Sequence, residues 1–208
     1  MKVGVLQPMC KGTNQHEEKP SNTTAAPLVM NNFFPFLLLC ANPQHSVQMD
    51  IYEFLDQHNI PYQRCDHPAV YTCEEVVQHV PADFPGAHTK NLFLRDAKGK
   101  RHFLVTVAAE HSVDLKALSQ TIGASRLSFA SAERLERHLG IAAGAVSLLA
   151  VLNDSKGAVE IFVDQTLWEA ETLRCHPLVN TSTLSIASGD IERFLSATGH
   201  SLKVVRIP

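Results

Sequence analysis

Two apolar runs separated by a short polar segment restrict the fold of this chain more than any other feature. NLFLRD (91–96) and RHFLVTVA (101–108) are rich in leucine, valine and phenylalanine, and AKGK (97–100) between them contains a glycine. Two such runs joined by a short Gly-containing loop predict a β-hairpin. We therefore expect the sheet of this protein to be built around an antiparallel pair.

The segments on either side of this hairpin alternate between helical and strand-like patterns. Residues 114–123 and 131–140 each begin at a capping Asp or Ser, carry Leu at helical spacing and end at Gly, which predicts two helices. AVSLLAVL (145–152) and AVEIFVD (158–164) flank the turn NDSKG and predict a second hairpin. We also predict short helices within 49–60, 73–80 and 189–198, and strands at 182–187 and 203–207. Hairpins separated by helices favour an α+β fold with a mixed, mainly antiparallel β-sheet flanked by helices.

The first 46 residues differ in character from the remainder of the chain. They mix Pro, Asn, Thr and Lys without the period of a helix or a strand, which predicts a flexible N-terminal extension (1–46) before one folded domain (47–208). The apolar run FFPFLLLCA (33–41) is far shorter than the roughly 20 residues of a membrane span and contains Pro35. We expect a cytoplasmic protein with no membrane partner.

Charge and cysteine content exclude several classes of function. The net charge of −3 disfavours proteins that wrap long nucleic-acid duplexes, and we expect no DNA partner, although a short contact with a nucleic-acid end stays open. The five cysteines form no C-x-x-C pair, so no metal site is expected. Motifs for nucleotide hydrolysis, dinucleotide binding, zinc proteolysis and the serine-hydrolase elbow are absent from the sequence, and we expect no cofactor.

Taken by themselves, the candidate site residues have more than one interpretation. Lys90 precedes the first strand of the hairpin, where its ammonium either extends into solvent or binds an anion. Gly144 forms either an ordinary turn or a loop that approaches a ligand closely. Cys175 and His176 are adjacent, and because neighbouring side chains of a strand point to opposite faces, we do not expect a nucleophile pair.

Three stretches together resemble the YbaK/prolyl-tRNA editing-domain family, and within it the freestanding branch of ProXp-ala (PrdX)-like alanyl-tRNA(Pro) deacylases. They are HPAVYTCEE (67–75), GAHTKNLFLRDAKGKRHFLV (86–105), and the region from GAVSLLAVLND (144–154) to CHPLVNTSTLSI (175–186). The resemblance covers roughly residues 49–208. It implies a barrel-like editing-domain fold and an enzyme that hydrolyses wrongly attached amino acids from the 3′ end of tRNA.

The resemblance also assigns roles to particular residues. Lys90, followed by Asn91, matches the lysine of a K-N pair that contacts the substrate. Gly144 opens a loop, continued by Ala145 and Val146, whose backbone N–H groups hold the substrate carbonyl. Leu148 stands where this loop usually has proline. The loop therefore lacks the restriction that a proline ring places on its own φ, and its N–H donors are less preorganised.

The remaining predicted site residues line the acyl pocket. His176 matches a histidine of the branch, and it either orients water, donates to the ester or shapes the pocket. Val70, Tyr71 and Leu148 are expected to form walls that exclude the larger proline. Lys90, Gly144 and His176 are thus the predicted catalytic residues, and the family mechanism adds assistance from a ribose 2′-hydroxyl.

The sequence leaves three functions open. The first is a trans-editing deacylase of alanyl-tRNA(Pro), acting on the acceptor end of the tRNA beside prolyl-tRNA synthetase. The second is the same reaction on cysteinyl-tRNA(Pro) or on another small amino acid. The third is a module that binds aminoacyl-tRNA or a synthetase without catalysis, which the departure at Leu148 favours.

Overall fold

The computed structural model describes residues 50–208, apart from the side chains of Cys73 and Glu74. The predicted extension (1–46) lies outside the described residues. The boundary of the predicted domain (47–208) therefore stays a prediction, and the fold below is that of residues 50–208.

Helices begin and end where the sequence supplies capping groups. The described residues contain α1 (Ile51–Gln57), α2 (Cys73–His79), α3 (Leu115–Thr121), α4 (Ala132–Leu139), α5 (Gln165–Trp168) and α6 (Ser188–Ala197). The Asp114 side chain accepts from the first amides of α3, and Ser131 does the same for α4. α4 ends at Gly140, whose φ of 61° is left-handed and suits glycine. The two helices predicted from capping patterns are confirmed.

The strands form two sheets. They are β1 (Gln63–Asp66), β2 (Thr89–Arg95), β3 (His102–Ala108), β4 (Ser128–Phe129), β5 (Val159–Asp164), β6 (Thr172–Cys175), β7 (Ser182–Ala187) and β8 (Leu202–Val205). A five-stranded sheet has the order β4-β2-β3-β5-β8, and a three-stranded sheet has the order β1-β7-β6. Pairing is antiparallel except that β5 lies parallel to β3 and to β8. The predicted α+β class with a mixed, mainly antiparallel sheet is confirmed, as two sheets rather than one closed barrel.

The prediction of a second hairpin, over residues 145–164, is wrong. Residues Leu148–Asn153 form a 3-10 helix instead of a strand, and β5 pairs with the first hairpin. Ser147 starts this helix by accepting a hydrogen bond from the amide of Leu149 at 3.2 Å. A short apolar run buried on all sides has no period that separates strand from helix, which explains the error.

β3 lies at the centre of the core because both of its faces are covered. Phe103, Val105 and Val107 pack in a cluster with Leu118 of α3, whereas Leu104 packs on the opposite face against the cluster that includes the 3-10 helix and the three-stranded sheet. β2, the partner of β3, is thereby fixed along its whole length. Side chains at the start of β2 project from a rigid support.

The two sheets approach each other beside the start of β2. The backbone amide of Arg174 in β6 donates to the carbonyl of Ala87 at 2.9 Å, and the hydroxyl of Thr89 donates to the carbonyl of Arg174 at 2.6 Å. These bonds hold the end of β6 against the segment that leads into β2. The candidate site lies at this junction.

Candidate functional site

A cavity of about 240 Å³ opens where the two sheets meet. Its walls come from the start of β2, the end of β6, the segment before α2 and the loop before the 3-10 helix. Seven of the nine predicted site residues line it: Val70, Tyr71, Lys90, Asn91, Gly144, Val146 and His176. The lysine and the glycine loop therefore face a common cavity, although 54 positions separate Lys90 from Gly144 in the sequence.

Lys90 is held at the cavity by the strand pairing and by one hydrogen bond. It lies opposite Val107 in the β2–β3 register, and its ammonium donates to the carbonyl of His111 at 2.5 Å. An ammonium has three N–H donors, so two remain for a ligand. The neighbouring Asn91 accepts from the hydroxyl of Thr106 at 2.8 Å, which braces β2 against β3.

The loop that begins at Gly144 presents unpaired amides. Gly144 has a φ of 95°, and a Cβ built on it would lie 3.0 Å from Cδ1 of Tyr71, so the position requires glycine for two reasons. The amides of Gly144, Val146 and Ser147 have no hydrogen-bond acceptor within residues 50–208, whereas the amide of Ala145 donates to Ala142. Free amides beside a cavity are suited to binding a carbonyl oxygen or an oxyanion.

Two predicted site residues do not line the cavity. Leu148 is fully buried and packs in the core as the first residue of the 3-10 helix, and Ala145 is buried beside it. The expectation that the Leu148 side chain forms an acyl-pocket wall is therefore wrong. The chain turns into a helix at this residue, so the side chain packs in the core while Gly144 and Val146 before it line the cavity.

His176 presents a hydrogen-bond acceptor. Its Nδ1 lies 2.9 Å from the carbonyl oxygen of Ser182, which can only accept, so Nδ1 carries the proton. Nε2 has no partner among the described residues and is an acceptor in the neutral ring. Burial lowers the pKa of His176 below its usual 6.5, the bond to Ser182 opposes this shift, and the nearby imidazole of His67 adds to it. His176 is therefore neutral at pH 7.

Cys175 also lines the cavity, so the two adjacent side chains both reach it, contrary to the expectation for a regular strand. The strand ends at Cys175, which frees His176 from the alternation. Burial raises the pKa of the Cys175 thiol to about 12. A thiolate nucleophile is thus disfavoured at neutral pH because of the pKa, whichever way the two side chains point.

Arg174 is the residue that the sequence analysis missed. The residue lines the cavity, yet it is only 6% exposed. The guanidinium donates to the carbonyls of Phe84 and Pro85, and its Nη1 donates to Nε2 of His88 at 2.6 Å. Burial and the neighbouring Arg174 lower the pKa of His88. An arginine inside the short apolar strand TLRC, two residues before His176, was the available signal.

The electrostatic character of the cavity is opposite to that of the chain. Lys90 and Arg174 both contribute to its walls, and none of the residues lining it is an Asp or a Glu. The net charge of the whole chain is −3. Cations without a carboxylate partner around a cavity favour an anionic ligand.

A second group of basic residues lies away from the cavity. The turn of the β2–β3 hairpin carries Lys98, Lys100 and Arg101, and Arg95 at its base lies five positions along β2 from Lys90. At about 3.3 Å per residue this is roughly 17 Å. Arg101 is moreover paired with Glu160 at 2.7 Å, which reduces the positive potential of the turn.

Within residues 50–208, no group of three or more His, Cys, Asp or Glu side chains is arranged to hold an ion. In the same part of the chain, none of the helices combines the length and hydropathy that crossing a bilayer requires.

Comparison with known proteins decides the family. The profile of the aminoacyl-tRNA editing domain family matches residues 67–194, well over half of the chain. The chain belongs to this family. The match includes the candidate catalytic residues Lys90, Gly144 and His176. The predicted family and enzyme class, an aminoacyl-tRNA deacylase, are confirmed, and so is aminoacyl-tRNA as the partner at this general level.

Individual relatives agree with this assignment. The prolyl-tRNA editing protein ProX of Acetoanaerobium sticklandii is 38% identical over 153 residues, which cover 74% of this chain and 93% of the relative. A prolyl-tRNA synthetase associated domain-containing protein of Danio rerio is 36% identical over 157 residues, covering 74% and 84%. A crystal structure of a candidate trans-editing enzyme for prolyl tRNA synthetase has a TM-score of 0.58 at 19% identity, covering 76% and 96%, and shows the same fold.

Proposed function

We propose that this protein hydrolyses a small amino acid from mischarged tRNA(Pro), with alanyl-tRNA(Pro) as the leading substrate. The supporting observation is that one cavity, with no carboxylate among its lining residues, collects four polar groups. They are the cations of Lys90 and Arg174, the free amides after Gly144 and the acceptor nitrogen of His176. The relatives named for prolyl-tRNA editing support the choice of tRNA. The reaction takes place in trans, in the cytoplasm, beside prolyl-tRNA synthetase.

Binding begins with the charge of the acceptor end. The terminal phosphodiester of tRNA is an anion, and the two free N–H donors of Lys90 are suited to bind it or to polarise the ester carbonyl. Arg174 adds a second positive charge at low exposure, where the interaction is screened less by solvent. Asn91 braces the strand that carries Lys90.

Hydrolysis needs one water molecule and no covalent intermediate. The water oxygen attacks the ester carbonyl carbon, and the carbonyl oxygen, now an oxyanion, is held by the amides of Gly144 and Val146. Nε2 of His176 accepts a hydrogen bond from the water and orients it. The bond between the carbonyl carbon and the ribose oxygen then breaks. The ribose oxygen takes the proton lost by water, with help from the neighbouring ribose hydroxyl, and the free amino acid leaves.

Discrimination against proline rests on the size of the inner cavity. Val70, Cys175 and Thr183 line it at exposures of 1 to 2%, so these walls are fixed by packing. A methyl side chain fits a small pocket that a pyrrolidine ring overfills, which is the sieve expected of an editing site. Cysteine and serine are of similar size to alanine, and cysteinyl-tRNA(Pro) is therefore the main alternative substrate.

The rival function is a binding module without catalysis. Leu148 in place of proline is the feature that favours it, because the amides after Gly144 are then less restricted by the backbone itself. The full burial of Leu148 counters this, since packing fixes the same loop. The deacylase is the better supported function.

A deacylation panel tests the proposal. Wild-type protein and Lys90→Ala are incubated with Ala-, Cys-, Ser- and Pro-charged tRNA(Pro), and release of the amino acid is followed with time. We expect fast hydrolysis of Ala-tRNA(Pro), little of Pro-tRNA(Pro), and loss of activity in the variant. Preference for Cys-tRNA(Pro) would select the alternative substrate. Binding of charged tRNA without hydrolysis of any substrate would select the module.

A further inference from the structure

Tyr71 combines two properties that rarely occur together. It lines the cavity, and at 69% exposure it is the most exposed large apolar side chain in the described part of the chain. Among the described lining residues it carries the one phenyl ring. Exposed aromatic rings are typical of surfaces that bind planar ligands such as nucleic-acid bases.

The backbone of Tyr71 is held in place although its ring is exposed. The backbone amide of Tyr71 donates to the Glu75 carboxylate at 2.6 Å, and the preceding Val70 exchanges hydrogen bonds with Asn180 at 3.0 and 2.8 Å. Gly144 leaves room for the ring edge, since a Cβ there would come within 3.0 Å of it. Tyr71 is thus anchored at the mouth of the cavity while most of its surface faces solvent.

The size of the cavity leaves part of the substrate outside. At about 240 Å³ it is smaller than the roughly 300–1,000 Å³ of pockets that enclose a drug-sized ligand. An aminoacyl-adenosine is of that size. With the acyl group against the buried walls and the sugar-phosphate beside Lys90, the adenine has to lie at the mouth.

We infer that Tyr71 is a stacking platform for the terminal adenine of the tRNA, and not a wall of the acyl pocket as its sequence position suggested. This inference rests on the proposed function, because it takes the acylated 3′ end as the ligand. Stacking uses the π-face of the base, so Tyr71 contributes binding and register rather than selection of the amino acid. It is a positioning residue whose loss leaves the chemical step intact.

The test compares substitutions that keep or remove the aromatic ring. Tyr71→Leu is expected to raise KM for Ala-tRNA(Pro) by about 5- to 150-fold, the equivalent of the 1–3 kcal/mol of one base stack, with kcat within about twofold. Tyr71→Phe and Tyr71→Trp retain the wild-type KM. Phe129→Leu is the matched control, because Phe129 is 62% exposed on β4 and does not line the cavity.

A binding measurement separates this inference from the proposed function. AMP and ribose 5-phosphate are titrated against wild type and Tyr71→Leu by calorimetry. We expect AMP to lose affinity in the variant and ribose 5-phosphate to bind both proteins equally. Loss of AMP affinity supports stacking even if no charged tRNA is hydrolysed.

Two results would overturn the inference while leaving a deacylase intact. One is that AMP binds wild type and Tyr71→Leu equally, or no better than ribose 5-phosphate. The other is that Tyr71→Leu changes the preference among Ala-, Ser- and Pro-charged tRNA with KM for Ala-tRNA(Pro) unaltered, which is the behaviour of an acyl-pocket wall.

Discussion

Two arginines, one at the turn of the β2–β3 hairpin and one in β6, illustrate how this protein distributes its charges. Arg101, near the turn, donates to both carboxylate oxygens of Glu160, at 2.7 and 3.0 Å, and Lys203 donates to the same carboxylate. Arg174, at the cavity, is buried and donates to backbone carbonyls and to a neutral histidine. The charge of Arg101 is neutralised within the molecule, whereas the cavity retains a positive charge that a ligand can neutralise.

This difference has a physical cost that argues for a functional role. A buried charge without an opposite charge pays a desolvation cost, and in Arg174 only the hydrogen bonds of the guanidinium offset it. Burial accordingly lowers the pKa of Arg174. The ion pair of Arg101 with Glu160 is partly exposed, and ion pairs of this kind contribute little to stability. We therefore expect substitutions at the cavity to affect function and those at the turn to affect little.

The largest effect is expected at Lys90. Lys90→Ala removes the cation and two free donors from the cavity and should lower kcat/KM for Ala-tRNA(Pro) by about 10²–10³. Lys156→Ala is the control, because this lysine lies exposed in the turn before β5. Equal activity of the two variants in a deacylation time course would remove the functional distinction between the cavity and the surface.

A second large effect is expected from adding one methyl group at Gly144. Gly144→Ala forces a Cβ to within 3.0 Å of Tyr71 at a φ of 95° and should displace the free amides, lowering kcat by about 10²-fold. Gly157→Ala is matched in sign of φ, but its Cβ would meet nothing within 4 Å. That control should lose about 1 kcal/mol of stability and keep full activity. A Gly144→Ala variant with wild-type kcat would contradict the proposed role of the loop.

A moderate effect and a change in pH dependence are expected at His176. Nε2 accepts a proton as pH falls, and burial places that pKa below 6.5, so wild-type kcat should decline only below about pH 6.5. His176→Asn should lower kcat about tenfold, roughly the worth of one hydrogen bond, and remove this acidic limb. The pH–rate profile of both proteins between pH 5 and 8 checks this, and an unchanged acidic limb in the variant would assign it to another group.

The smallest effect concerns stability and sharpens the contrast between the two arginines. Arg174→Met should lower the free energy of unfolding by about 1–3 kcal/mol through the lost hydrogen bonds to Phe84 and Pro85, and Arg101→Met by about 0–1 kcal/mol. Urea denaturation measures the free energy of unfolding of both variants.

The same variants test anion binding. Inorganic phosphate should stabilise wild type more than Arg174→Met. Equal stabilisation of the two proteins by phosphate would show that Arg174 does not attract anions.

The sequence supported prediction of the elements that carry their own signals. α3 and α4 have side-chain caps and a helical period, and the β2–β3 hairpin has a turn glycine, so each was predicted within a few residues. The 3-10 helix at Leu148–Asn153 has no such signal, because its residues are buried on all sides. β1 (QRCD) and β6 (TLRC) were missed as well, since neither contains a run of strongly apolar or β-branched residues like the one in β8 (LKVV).

The candidate site was predictable to the extent that local sequence marks it. Lys90, Gly144 and His176 each lie in a recognisable stretch, and the structure places them around one cavity. Arg174 and His88 act through a contact between residues 86 positions apart, which only the pairing of the two sheets creates. The side-chain direction of Leu148 likewise depended on the helix that was not predicted.

The burial of Leu148 links the geometry of the amide loop to the integrity of the core. A proline ring restricts its backbone covalently, at every temperature at which the chain exists. Leu148 restricts the same segment only through apolar packing, which loosens when neighbouring core side chains are truncated or the protein is warmed. We therefore expect the geometry of the amide loop to be thermolabile, and to be lost on heating before the fold itself.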